Sequence, residues 1–308
     1  MLLVVAESSG SSPGRRGFKM AVTADELMGS IGGGIMEVNL VNQARTLLSA
    51  PHKRPYERTG EKLAAVTQQV HRKTDKDASG MICSGRQTVI FRSLTPADAG
   101  SVREIISTLE NRESNSLVLT PESVAVELST SCAPDFIFEA GSETNFFFRE
   151  RLGHKNELFI AGGGHCALAL SELMSKIDFY IRLFDDRPEL NTISKNTFAD
   201  EKHVIKSYEE IADKIPGGPN VYVVVMTLGF ASDEIVIRRL LDRKFRYFGV
   251  LGSRAKMAAL LKNLKNEGCS EEKLKNIRTP IGLPINSQTP EEIAISIAAE
   301  IIAVKNAA

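Results

Sequence analysis

What this chain lacks narrows its class first. It carries 38 basic and 38 acidic residues, so its formal net charge is zero. That disfavours a nucleic-acid binder driven by bulk electrostatics, which needs an excess of lysine and arginine. No apolar run approaches the ~18 residues of a membrane span, and residues 1–6 are too short and lack the basic residues of a secretory signal. The four cysteines, Cys83, Cys132, Cys166 and Cys269, show no C-x-x-C spacing. Neither a structural zinc site nor a disulfide framework is implied, and a reducing cytoplasm is the simplest compartment. No Ser/His/Asp set, carboxylate pair or metal-ligand cluster stands at the spacing that a hydrolase or metalloenzyme needs.

What is present begins with residues 158–170, which read as a buried strand, a glycine turn and the start of a helix. Gly162, Gly164 and Ala167 fit the G-x-G-x-x-G/A spacing, and Asp185 follows near the ~20-residue separation expected of a ribose-binding acid. Glycines let backbone approach a pyrophosphate, the helix N-terminus favours its charge, and the acid accepts from a ribose hydroxyl.

Residues 157–308 alternate strands and helices, with strands expected at 158–161, 179–184, 221–226 and 247–251. Helices are expected at 165–175, 232–243, 254–266 and after Thr289, whose Thr-Pro-Glu-Glu sequence is a capping box. This predicts an α/β fold: a Rossmann-like parallel sheet with helices on both faces. Residues 1–150 mix short strands at 2–7, 19–23, 64–70 and 88–92 with helices near 36–49 and 96–111, as in a smaller α+β domain. Polar residues 151–156 are the expected linker.

Several further segments stand out in both halves. In the first half these are Gly10-Ser11-Ser12-Pro13, the cluster Gly29-Ser30-Ile31-Gly32-Gly33-Gly34 followed by Glu37, and Cys83-Ser84-Gly85. In the second half they are Ala161-Gly162-Gly163-Gly164-His165, Asp185-Asp186-Arg187-Pro188, Leu251-Gly252-Ser253-Arg254, Pro280-Ile281-Gly282-Leu283 and Thr289-Pro290-Glu291-Glu292-Ile293-Ala294. Together these segments resemble the XdhC/CoxI family of xanthine dehydrogenase accessory factors, and the resemblance implies a cytoplasmic chaperone that binds molybdenum cofactor, as molybdopterin or its nucleotide form. Such a protein assists sulfuration of the cofactor with a cysteine desulfurase and its insertion into a molybdenum hydroxylase apoenzyme. Binding and release, not turnover, would be its work. The sequence departs from the family pattern at Ile35, where the family commonly has cysteine, and at Thr227-Leu228, where it has histidine after threonine.

The expected cofactor-binding residues are Gly162, Gly164, His165, Asp185, Ser253 and Arg254 in the second half, with Gly32, Gly33, Glu37 and Cys83 in the first. Ser253 and Arg254 follow the fourth expected strand, where ligands of parallel sheets collect. Each has a bland counterpart: close helix packing for the glycines, an N-cap for Ser253, a solvated first turn for His165, hairpin turns for Gly32 and Gly33. Cys83 stands between glycines and is a candidate contact for cofactor or metal, though most free cysteines are buried and inert. The glycine fingerprint with Asp185 also suits an NAD(P)-dependent oxidoreductase. A third reading is an interaction scaffold without ligand. A homodimer is the default assembly.

Overall fold

The apolar run near the start forms β1 (Leu2–Gly10), which is buried on both sides along residues 3–6. That is why it reads as continuous apolar sequence and not as an alternation. A computed structural model describes residues 1–49, 64–70, 85–111, 115–129, 134–153 and 155–307. The chain divides into two compact units, Met1–Gly153 and His154–Ala308.

In the first unit β1 joins β2 (Lys19–Val22), β3 (Leu27–Gly29), β4 (Ala64–Val70) and β5 (Gly85–Arg92) in an antiparallel sheet ordered β3-β2-β1-β5-β4. Successive side chains point to opposite faces. Leu3 and Val5 pack with Leu40, Val41 and Ala44 of helix α1 (Gly34–Ser49). Val4 and Ala6 share a second core with Leu117, Leu119 and Phe148. Those come from a second antiparallel sheet of β6 (Asn115–Leu119), β7 (Val124–Leu128), β8 (Phe136–Ser142) and β9 (Asn145–Arg151), ordered β7-β6-β9-β8. Helix α2 (Ala99–Glu110) sets Ile105 against the same core.

The second sheet has no counterpart among the sequence expectations. β6 buries the polar Asn115 and Ser116 ahead of the short apolar run 117–119, and β9 buries Glu150 and Arg151 after the run 146–148, so polar residues interrupt the apolar pattern of both strands. The expected linker is also shorter than its bounds. Arg151 ends β9, where it pairs with Ser116 and its guanidinium meets Asp135 at 2.9 Å, and Asn156 opens the next strand.

The second unit holds a five-stranded parallel sheet of β10 (Asn156–Ala161), β11 (Phe179–Asp185), β12 (Glu201–Val204), β13 (Gly218–Val225) and β14 (Phe245–Val250). Its order is β12-β11-β10-β13-β14, so the chain reverses direction across the sheet between β10 and β13. The helices are α3 (His165–Met174), α4 (Asn191–Lys195), α5 (Ile211–Lys214), α6 (Phe230–Leu240), α7 (Arg254–Asn266), α8 (Glu271–Lys275) and α9 (Pro290–Asn306). Leu158 and Ile160 pack toward α3 and α9, while Phe159 and Ala161 pack toward α6 and α7. Helices therefore cover both faces, as expected. The capping box at Thr289 is present: its hydroxyl accepts from the Glu292 N–H, and the Glu292 carboxylate accepts from the Thr289 N–H, both at 3.2 Å. Among the described residues, no helix is long and apolar enough to cross a membrane.

Candidate functional site

At the end of β10 the backbone makes a tight turn that only glycine accommodates at its first position. Gly162 has φ +110°, and a Cβ there would stand 2.2 Å from the carbonyl oxygen of Met226. The turn is wedged between its neighbours: the Gly162 N–H donates to Phe184 and the Met226 N–H donates to Ala161, each at 2.8 Å. Gly163 is held next. Its N–H donates to Asp185 at 2.6 Å, its carbonyl accepts from the Thr192 hydroxyl, and a Cβ would lie 2.7 Å from Ile193.

Gly164 differs. It caps α3 with extended backbone, φ −70° and ψ −170°, and a Cβ there would meet nothing within 4 Å. No internal contact requires glycine. The space beside it lies at a helix start where, among the described residues, no side chain caps the N–H groups, and such N–H groups favour an anion. The turn sits at the switch point of an open parallel sheet, the general ligand position of such folds.

Asp185 ends β11 fully buried, and its carboxylate is saturated from within the chain. One oxygen accepts from the Arg187 N–H at 2.9 Å and from Arg187 Nε at 2.8 Å; the other accepts from Gly163 at 2.6 Å and Arg187 Nη2 at 2.7 Å. Burial pushes this carboxyl up, but the hydrogen bonds from Arg187 and Gly163 outweigh it and hold it below its ordinary value. Asp185 thus clamps the turn. The neighbouring Asp186 is exposed, and among the described residues no hydrogen bond engages its carboxylate. Its signal in the sequence was its place beside Asp185.

The same sheet edge carries a second network. Asp233, in the first turn of α6 and buried, accepts from the Thr227 N–H at 3.1 Å, the Thr227 hydroxyl at 2.6 Å and Lys256 Nζ at 2.7 Å. Lys256 was not singled out by the sequence, since 23 residues separate it from Asp233. Ser253 is the N-cap of α7, with its hydroxyl accepting from the Lys256 N–H at 3.3 Å. Arg254 is exposed and without a hydrogen bond among the described residues, so its guanidinium is available. It begins the helix after β14, two strands from β10, or roughly 10 Å along the edge. His165 is exposed at the first position of α3. Cys166 is half-buried against the α3 core; burial first, and then the charge of Glu291, push its thiol up and keep it protonated.

Gly32, Gly33 and Glu37 belong to the first unit. There the Glu37 carboxylate accepts from the Ser30 hydroxyl at 2.7 Å, the Ile31 N–H at 2.8 Å and the Gly33 N–H at 3.0 Å. The glycine loop is therefore folded around an anion of its own chain. Gly32, with φ +127°, is required by close approach, since a Cβ would stand 2.3 Å from the Gly14 nitrogen. Burial raises the Glu37 carboxyl, yet these hydrogen bonds bring it below the usual carboxylate range. Its stabilisation is complete above the unfolded pKa near 4 and is lost as pH falls through the folded value. Glu37→Gln should cost about 1 kcal/mol at neutral pH, read by urea denaturation, with the difference shrinking at acid pH. Cys83 lies outside the described residues. Among those residues, no group of three or more histidine, cysteine or carboxylate side chains could hold a metal ion.

A doubly wound parallel sheet with a glycine turn at its switch point defines the second unit as a Rossmann-type domain. The XdhC Rossmann domain matches residues 158–301, and the XdhC and CoxI family matches residues 1–58. The chain belongs to the XdhC and CoxI family. It is 28% identical over 156 residues to the uncharacterised YqeB protein of Escherichia coli K12, across 50% of this chain and 28% of that protein. It is 29% identical over 161 residues to a Bacillus subtilis 168 protein described as a probable xanthine dehydrogenase component, across 52% of this chain and 46% of that one. The matches thus span less than half of either curated relative. A crystal structure described as a xanthine dehydrogenase from Bacillus halodurans shares the fold, with TM-score 0.71 at 24% identity over 99% of this chain and 90% of that one.

Proposed function

We propose that this chain is an accessory protein of a xanthine-dehydrogenase-type molybdenum hydroxylase, holding molybdenum cofactor for sulfuration by a cysteine desulfurase and for insertion into the apoenzyme. The observation that carries the reading is the open space at Gly164, beside uncapped helix N–H groups at the switch point of the sheet. A phosphate is the kind of anion that such N–H groups favour, and molybdopterin and its nucleotide form both carry phosphate. The pterin dithiolene supplies the metal's own ligands, so the protein needs a phosphate holder more than a metal cage. When bound, the cofactor brings the molybdenum centre that the hydroxylase uses. The N–H groups at the start of α3 take the phosphate, Asp185 and Thr192 keep the turn in shape, and Arg254 offers a cation on the same edge. Family membership and the Bacillus subtilis relative described as a probable xanthine dehydrogenase component support the choice of client.

The test is direct. Protein purified from cells replete in cofactor should carry molybdenum and give pterin fluorescence after oxidation. Absence of both overturns the proposal. A second reading, an NAD(P)-dependent oxidoreductase, draws on the exposed Asp186 beside the turn. Tight NADH binding with turnover of a small carbonyl compound would favour it instead.

A further inference from the structure

Helix α9 is apolar on the side that meets solvent as well as on the side that meets the core. Between Ile293 and Val304 its one charge is Glu300. That carboxylate turns inward, accepting from the Tyr247 hydroxyl at 2.5 Å and the Gly282 N–H at 2.9 Å. Ile297, Ala298 and Ile301 are buried with Leu170 and Met174 of α3. Ile295, Ile302 and Ala303 are exposed and Ala299 is half-buried, and their spacing sets all four on one face. A helix lying on a sheet ordinarily turns polar residues to that side.

Residues 282–285 widen this face. The Leu283 N–H donates to the Ser296 carbonyl at 3.2 Å, and the Ser296 hydroxyl donates to the Leu283 carbonyl at 2.6 Å. Gly282, with φ +93°, allows the approach, since a Cβ there would stand 2.3 Å from the Ser296 hydroxyl. The fastened loop and the helix thus hold Leu283, Ile285, Ile295 and Ile302 outward, each between 37% and 51% exposed. The two ends of the face carry opposite charge. Glu291 and Glu292 stand in the first turn of α9. Lys305 stands in the last turn, where the Arg246 guanidinium also donates to the carbonyls of Val304 at 2.9 Å and Ala307 at 2.7 Å.

Such a face is complementary to itself. Laid antiparallel on a copy about the midpoint of residues 298 and 299, it sets Ile295 against Ile302 of the second copy and Glu292 against Lys305 of the second copy. The alanines fall at the crossing, where small side chains let helix axes come close. We propose that α9 and the 282–285 loop form the isologous interface of a twofold homodimer of this chain. The opposite charges at the two ends, which the twofold brings together, favour a second copy over a partner of other sequence.

Sedimentation equilibrium of the full chain tests it. The wild type should be a dimer. Ile295→Asp and Ile302→Lys should each weaken association about tenfold or more, because the twofold places each new charge in the apolar contact twice. Both positions are exposed, so the circular dichroism spectrum should not change. The double variant Ile295→Asp/Ile302→Lys pairs the new charges across the twofold and should associate more tightly than either single variant. Ala299→Cys, a small change at the crossing, should cross-link the dimer under mild oxidation, whereas Lys262→Cys on α7 should not. A wild type that is monomeric at every concentration overturns the dimer. A dimer that both single variants leave intact, or one that Ala299→Cys fails to cross-link, overturns this surface. A double variant no tighter than the single ones overturns the antiparallel order.

Discussion

Gly164→Val should abolish binding of phosphate ligands while leaving the melting temperature almost unmoved, whereas Gly162→Val, two residues away, should damage the fold before the ligand site. At Gly164 the backbone is extended, a conformation open to any residue, and a side chain would enter empty space. Surface substitutions without such conflicts stay within about 0.5 kcal/mol. The valine methyls would fill the space assigned to phosphate, so pyrophosphate affinity and copurifying molybdenum should fall below detection. At Gly162 the backbone has φ +110° and the added Cβ meets a carbonyl oxygen at 2.2 Å, which no rotamer relieves. Strain of that kind costs roughly 1–3 kcal/mol, and displacement of the β13 loop adds to it. A total of roughly 3–5 kcal/mol lowers the melting temperature by about 10 °C in a unit of this size. Scanning calorimetry on both variants, followed by pyrophosphate titration, checks the pair. Equal stability losses at the two positions would defeat the argument that one glycine serves the fold and the other the ligand.

The parallel sheet was legible because its strands announce themselves in two ways. Residues 158–161 and 221–225 are apolar on both faces, and each is followed by glycine or threonine and then an amphipathic helix. The glycine turn was legible for the same reason, since its chemistry is local. The functions of Asp185 and Glu37 were not. Spacing along the chain placed Asp185 where a ribose acid belongs, but spacing says nothing of Arg187 folding back two residues later to fill both carboxylate oxygens. Glu37 returns to the loop ahead of its own helix in the same way, turning a candidate anion cradle into one already closed by a side chain. Tyr208 carries no local signal at all. A tyrosine before two glutamates is ordinary, and only the packing reveals that its buried hydroxyl has no partner among the described residues. β12 escaped because its four residues, Glu201–Val204, are half-exposed edge sequence without an apolar run.

Asp185→Asn should cost about 3 kcal/mol at neutral pH, because breaking a buried charge pair leaves its partners without the anion they were arranged around. The amide can still accept from Gly163 with one atom. Its NH2 group then confronts Arg187, which has only donors to offer. The loss should fade in acid. The folded carboxyl sits below its ordinary value, so as pH falls the unfolded chain takes up its proton first. The stabilisation is therefore complete above the unfolded pKa near 4 and disappears as pH falls through the folded value. Urea denaturation from pH 7 downward should show the wild type and Asp185→Asn converging only below about pH 4. A gap that stays constant into strong acid would mean that the charge contributes nothing. Ligand binding separates the clamp from a ribose contact. A clamp that fails loosens the Gly163 N–H and weakens pyrophosphate and ADP together, whereas loss of a ribose acceptor would weaken ADP alone and leave the ligand-free stability untouched.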